Sequence, residues 1–374
     1  MNHGTRQADT LSAAGRLDWL RLIRSENVGP IVFHQLLNQF GTAGAALDAL
    51  PDLARRGGGG RRMIRVCTTA AAAAELEAAA AVGARPLASC EVAYPSRLGA
   101  LPDPPPLIYV LGDPARLAVP VVSIVGARNA SAAAIRYTRR LARDLGGAGL
   151  GVASGLARGI DTAAHGGALE SGTIAVLAGG VDVVYPAKNQ ELYEAIVAQG
   201  AVISEMPPGT RPQARHFPRR NRLISGLALG VVVIEAAERS GSLITARFAL
   251  EQGREVFAIP GSPQDPCCRG TNRLIKQGAT LVQDPTDVVE VIGPMINQPA
   301  LWEAPPEHFS QPVQTPDSDA DRQRIKDYLG PTPIGVDDLI RLSQLTPAHV
   351  VTILLELELA GRIDRHAGNR VSIS

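Results

Sequence analysis

The chain is poor in aromatic residues and nearly without cysteine. Of its 374 residues only 4% are Phe, Trp or Tyr, so Ala, Val, Leu and Ile must fill whatever core forms. Its four cysteines, Cys67, Cys90, Cys267 and Cys268, show neither a CxxC metal spacing nor a disulfide framework, and read as reduced thiols. No uninterrupted apolar run approaches the length of about 18 residues that a membrane span requires. The start, "MNHGTRQADTLSAAGR", has no apolar core of a secretory signal, so a cytoplasmic protein is expected. A GxxxxGK[ST] phosphate loop is missing, which argues against an ATPase. "VGARNAS" is not GxGxxG, and the strand after it ends in "GVASG" with no Asp or Glu for a ribose, so no nicotinamide cofactor is expected either. There is no HExxH and no Ser or Cys nucleophile beside a partnered His. Excess charge is lacking too: the formal net charge is +1, so anion binding must come from a local site and not from a polycationic tail.

What is present falls into segments. Residues 1–84 read as a helical domain of SAM or helix-hairpin-helix type. "LDWLRLIRSENVGPIVFHQLLNQFG" has helical apolar spacing broken at Gly29-Pro30. It is either half of a degenerate phosphate-gripping hairpin or a plain packing unit. "RRGGGGRR" (55–62) reads as a flexible basic loop and 68–84 as an Ala-rich helix. Residues 85–106, ending in "LPDPPP", read as a connector. From 107 to 292, eight apolar runs alternate with helical stretches: "PLIYVLG", "VVSIVG", "GLGVAS", "TIAVLAG", "AVISE", "GVVVIEA", "EVFAIPG" and "ATLV". Such alternation predicts an α/β fold with a doubly wound, mostly parallel Rossmann-like sheet buried on both faces. Residues 293–320, with several prolines, read as a linker. Residues 321–374 give three helices and a hairpin, a winged helix, the third helix capped by Thr346 with Pro347 at its first position.

Ligands of open parallel sheets bind outside the carboxyl ends of the strands. Four strand ends there carry Ala127-Arg128-Asn129, Gly155-Leu156-Ala157-Arg158-Gly159, the long loop after "AVISE", and Glu238-Arg239-Ser240-Gly241-Ser242. Free N–H groups at helix starts, with arginines beside them, make an anion edge suited to several phosphates. The loop after "AVISE" leads into "RHFPRRNRLISGL", which packs Arg215, Arg219, Arg220 and Arg222 into eight positions with no acidic residue between Glu205 and Glu235. With Leu223, Ile224 and Leu227 as the buried stripe, Arg219 and Arg222 are expected to reach the ligand edge. Phe217 beside them either stacks a base or packs in the core. Asp161 and His165, four apart, read as loop-holding residues in preference to an acid/base pair. Asp182 and Tyr185 are expected to line the same cleft, serving either loop or ligand.

In order and spacing, "VGARNAS", "SGLARGIDTAAHGGAL", "TIAVLAGGVDVVYP", "ISEMPPG", "HFPRRNRLISGLA", "VIEAAERSGSLITA", "GREVFAIPG" and "GTNRLIKQGATLV" resemble the DNA-processing protein A family (DprA, also called Smf) over about half the chain. The resemblance implies a non-enzymatic protein that binds single-stranded DNA without strong sequence preference. It further implies homodimerisation through the Rossmann-like domain and help in loading the RecA recombinase, in transformation or recombination. Its DNA-contacting candidates here are Arg128, Ser154, Arg158, Arg219, Asn221, Arg222, Ser242 and Thr245. The competing reading is a nucleotide-binding or nucleoside-monophosphate-hydrolysing enzyme of a related fold. Such enzymes carry a PGGxGTxxE-type loop, where this chain has "IPGSPQDP" and "LAGGVDVV". In the winged helix, the stretch Ala348 to Ala360 has Glu356 and Glu358 but no Lys or Arg. That helix is therefore not expected to read duplex DNA, and a protein contact is preferred for it. Arg362, Arg365 and Arg370 of the hairpin leave weak backbone contact open.

Overall fold

The computed structural model describes residues 10–58, 64–296, 319–366 and 368–374. The Gly59–Arg62 part of the basic loop and most of the proline-bearing linker lie outside them. The chain divides into two compact units, one containing Glu75–Trp302 and the other built from Leu11–Ala74 and Glu303–Ser374.

The first unit is a nine-stranded sheet. Its strands are β1 (Arg85–Ala88), β2 (Leu107–Gly112), β3 (Val121–Gly126), β4 (Gly151–Ser154), β5 (Thr173–Val176), β6 (Ala201–Ser204), β7 (Gly230–Ile234), β8 (Glu255–Ala258) and β9 (Thr280–Leu281). They lie in the order β1-β2-β6-β5-β4-β3-β7-β8-β9. From β6 to β9 all neighbours are parallel, while β1–β2 and β2–β6 are antiparallel. Each of the eight apolar runs is a strand. Alternation along a strand sends successive side chains to opposite faces, and both faces are covered. In β3, Val121 and Val125 join one core, and Val122 and Ile124 the other. In β7, Val231 and Val233 pair off against Val232 and Ile234 in the same way. That two-sided burial is why the strands read as unbroken apolar runs.

Residues 85–106 are more than a connector. Arg85–Ala88 pairs with Leu107–Val110, and Tyr94, Leu98 and Leu101 enter the core beneath the helix His216–Leu227. The proline run masked this, because prolines can close an edge hairpin as readily as end a domain.

The second unit joins the two ends of the chain. It contains the helices Ala13–Arg24, Pro30–Phe40 and Ala43–Arg56, then Asp319–Tyr328, Val336–Ser343 and Pro347–Leu359. Three short strands, β10 (Ile334–Gly335), β11 (Ile363–His366) and β12 (Arg370–Ile373), form the wing in the order β10-β12-β11. Thr346 caps Pro347–Leu359, its hydroxyl accepting from the His349 N–H. That helix is buried almost all round because it packs on more than its own domain. Asn27 Nδ2 donates to Leu359 O at 3.0 Å, and Arg362 Nη2 to Gly58 O at 2.8 Å. The backbone at Gly57 lies so close to Glu356 O that a Cβ there would sit 2.0 Å away. Glu356, fully buried, accepts from Arg322 Nε at 2.8 Å and lies 4.0 Å from Arg56 Nη1. Arg365 pairs with Glu358 at 2.8 Å, and Arg370 donates to Pro333 O. All three hairpin arginines are thus engaged inside the unit.

Candidate nucleic-acid interface

β3 continues to β4 on one side and has β7 on the other, so the connections change direction between β3 and β7. A crevice outside the carboxyl ends forms at such a point. A cleft of about 560 Å³ occupies it, lined among others by Arg128, Phe217, Asn221, Arg239, Ser242 and Thr245. Beside it is a pocket of about 430 Å³ lined by Arg128, Gly155, Ala157, Arg158, Tyr185, Pro186, Lys188 and Phe217.

Backbone geometry brings these loops together. Gly159 (φ +76°) precedes the helix Ile160–Ala168, and a Cβ there would come 2.3 Å from Ala127 O, so only glycine lets the two loops touch. Ser240 caps the helix Gly241–Glu251, accepting from the Ser242 N–H, and the hydroxyls of Ser240 and Ser242 share a hydrogen bond of 2.7 Å. Glu235 accepts from the N–H and hydroxyl of Ser131, which ties the end of β7 to the start of the helix Ala132–Gly147. Two helix N-termini and their orphan N–H groups consequently open at the cleft.

The arginines divide by burial. Arg220 is 6% exposed and points inward, donating to Gly155 O at 2.7 Å and to Val176 O. Burial lowers its pKa to about 10, against the favourable field of Asp161. Asp161 accepts from the N–H groups of Gly155 and Ala157, each at 3.2 Å, and burial raises its pKa despite Arg220. His165 is fully buried, with Nδ1 2.8 Å from Thr173 Oγ1. That hydroxyl already donates to Val152 O, so Nδ1 carries the proton in this bond. Burial, then Arg220, holds its pKa down to about 3. Asp161 is therefore spent on holding the loop, and His165 on tying its helix to the start of β5. Asp182 likewise serves a loop, accepting from the Gly209 N–H at 2.8 and 3.0 Å.

Arg222 differs from its expectation. Its side chain is 7% exposed, paired with Glu205 and donating to Asp103 O at 2.7 Å. Glu205 lies outside the acid-free stretch in sequence but beneath it in space. Arg219 is 53% exposed, 3.7 Å from the other Glu205 oxygen. Ser154 is fully buried and donates to Ile124 O at 2.6 Å, which leaves it no reach into the cleft. Arg128, Asn221, Ser242 and Thr245 meet in the cleft, and Arg128 and Arg158 meet in the adjoining pocket. Phe217 is only partly covered: Arg128 lies 5.5 Å and Arg220 6.0 Å from its ring centre, and Tyr185, 54% exposed, lies 5.7 Å away. Arg239 lies in one of the strand-end loops that the sequence marked, whereas Lys188 carries no signal in the sequence: it is a single cation in an unremarkable loop, and only the fold brings it to this edge. Among the described residues no cluster could hold a metal ion, and no helix is long and apolar enough to cross a membrane.

A doubly wound sheet whose switch-point cleft is rimmed by arginines, helix N-termini and a half-open aromatic pair defines a Rossmann-like polyanion-binding domain. The chain belongs to the DNA recombination-mediator protein A family, whose model matches residues 85–293. Models of a DprA-like N-terminal HHH domain and of a DprA winged helix domain match residues 13–78 and 309–369. It is 41% identical to protein Smf of Escherichia coli K12 over 283 residues, 75% of either chain. To DNA processing protein DprA of Streptococcus pneumoniae R6 it is 46% identical over 198 residues, 52% of this chain and 70% of that one. The X-ray structure of DNA processing protein A from Streptococcus pneumoniae superposes with a TM-score of 0.60 at 34% identity, covering 75% of this chain and 98% of that one. The Helicobacter pylori protein, whose structure is described as giving insight into a unique single-stranded DNA binding mode, superposes at 0.53 and 29% identity, over 57% of this chain and 97% of its own.

Proposed function

We propose that this protein binds single-stranded DNA without strong sequence preference and, as a non-enzymatic recombination mediator, helps load RecA onto it. The observation that carries this reading is the convergence of Arg128, Arg158 and Lys188 on the open Tyr185–Phe217 pair. Cations along a groove neutralise backbone phosphates, and aromatic faces accept any base, which is how sequence-tolerant single-strand sites work. Arg219 and Arg239 extend the basic rim, and Asn221, Ser242 and Thr245 supply neutral polar contacts. Homodimerisation through the sheet unit would double the tract. The groups best suited to acid/base chemistry, Asp161 and His165, are buried, Asp161 bonded to the loop N–H groups and His165 to Thr173 of β5, which disfavours the hydrolase alternative.

Fluorescence anisotropy with labelled oligonucleotides of rising length tests this. Three to four phosphate contacts give a log-affinity against log-salt slope of roughly −2 to −3 for single strands. Saturation by a mononucleotide, with no gain from length, would overturn the reading in favour of a small-ligand site. RecA loading is checked separately: addition of the protein should shorten the lag in single-strand-dependent RecA ATPase activity, and an unchanged lag refutes that half.

A further inference from the structure

Away from the cleft, the helix Ala132–Gly147 carries Arg136, Arg139, Arg140 and Arg143. Their spacing is i, i+3, i+4, i+7, so at 3.6 residues per turn they fall within an arc of roughly 100°. Ala134, Thr138, Leu141, Ala142 and Leu145 hold the opposite, buried face. All four arginines are exposed. Among the described residues none has a carboxylate within ion-pair distance. Arg140 lies 5.7 Å from the Tyr137 ring, and Tyr137 donates its hydroxyl to Gln283 O.

The row is unfavourable by itself. Arg136–Arg140 and Arg139–Arg143 are i,i+4 pairs of like charge, which destabilise a helix, and exposed helices ordinarily alternate sign at this spacing. The neighbouring carboxylates do not relieve it. Asp144 is exposed on the same helix and Glu170 follows the adjoining one, neither paired with the row, while Asp287 is taken up by the N–H groups of Gln283 and Asp284. The helix also starts at the cleft: Ser131 caps it, and Arg128 and Asn129 of the cleft lining lie directly before that cap.

We propose that this arginine row is a second phosphate track, which takes the backbone of a single strand as it leaves the cleft. The row spans about 10 Å along the helix axis at 1.5 Å per residue. Bidentate guanidinium contacts there hold phosphates without reading bases. The inference rests on the cleft being a single-strand site, and it predicts a footprint longer than the cleft alone supplies.

The test compares the full-length protein with the variant Arg136→Gln, Arg139→Gln, Arg140→Gln, Arg143→Gln. Gln has nearly the helix propensity of Arg, and the substitutions remove the like-charge pairs, so the helix survives. The variant should bind an oligonucleotide of about 6 nucleotides like the parent, but lose roughly tenfold or more on one of about 30. Its salt slope on the long strand should be shallower by about 0.7 for each phosphate that the row no longer neutralises. The charge reversals Arg140→Glu and Arg143→Glu, made singly, should shift long-strand affinity the same way and guard against misfolding of the quadruple variant. Parent-like binding of the long strand by all three variants overturns the track and leaves the cleft reading intact. Failure of the parent to bind even the short strand overturns the cleft reading. A variant defect confined to duplex, or to an acidic protein, also refutes the single-strand track.

Discussion

Arg222 offers the sharpest separation of a structural arginine from a ligand-facing one. Its guanidinium is 7% exposed, and Glu205, its partner, is 10% exposed. Arg222→Ala would leave the Glu205 carboxylate without its main counter-charge, and the Asp103 carbonyl without its 2.7 Å donor. Breaking a buried pair from one side costs about 3–5 kcal/mol. In a unit of this size each kcal/mol moves the melting temperature by about 2–4 °C, so a drop of roughly 10 °C is expected. Arg158→Ala, at an exposed position, should leave the melting curve within about 0.5 kcal/mol of the parent. Its single-strand affinity should fall alike for all sequences. The double variant Glu205→Gln, Arg222→Met should recover part of the lost stability, because the buried Glu205 charge is gone and only the part-exposed Asp103 carboxylate, 3.5 Å from Arg222, still loses its partner. Urea denaturation and anisotropy on the same preparations decide the matter. If Arg222→Ala keeps its urea midpoint yet loses DNA affinity, the buried pair is not what holds Arg222, and the division of the cluster by burial is refuted.

Tyr185→Ala removes a half-exposed stacking face and should cost about 1–3 kcal/mol of single-strand affinity, read by anisotropy, with unchanged thermal stability. Gly57→Val should drive a side chain into Glu356 O and destabilise the second unit by about 1–3 kcal/mol. Faster hydrogen exchange in Pro347–Leu359 would show it, with DNA binding by the cleft retained. His165 stays neutral in the folded chain down to about pH 3, whereas the unfolded chain protonates it near pH 6.5. Between those values the unfolded state binds the extra proton, so stability falls as pH falls, by about 2 kcal/mol at pH 5. Asp161, whose pKa burial raises, acts in the opposite sense where it titrates. His165→Gln should flatten the pH dependence of the urea midpoint.

Periodicity made the sheet legible. Runs such as "VVSIVG" and "GVVVIEA" are short, rich in β-branched residues and unbroken, as strands buried on both faces are, and the alternating helices point to parallel pairing. The order of the strands was not legible, because nothing local in β3 says that its neighbour is β7, over a hundred residues later. The edge formed by Arg85–Ala88 was hidden for a related reason. Arg85-Pro86-Leu87-Ala88 holds a cation and a proline and offers no apolar run, and the prolines just before its partner read as a boundary.

The site was legible where chemistry and backbone constraint coincide, and misread where only composition spoke. Arg128 and Arg158 sit in loops whose glycines force a close approach, and those loops do meet in the folded chain. The cluster around Arg220 looked uniformly basic because acidic residues are absent from its own stretch of sequence. A helix turns neighbouring residues to different surroundings, however. Arg219 faces solvent, Arg220 plugs the strand ends beside Asp161, and Arg222 reaches across to Glu205. Local charge density therefore measures how many cations are present and not how many are available to a ligand. The row at Arg136–Arg143 is the converse case. It is equally dense in sequence, four arginines in eight positions, but its helical spacing turns every one of its charges outward, and among the described residues none has an ion-pair partner.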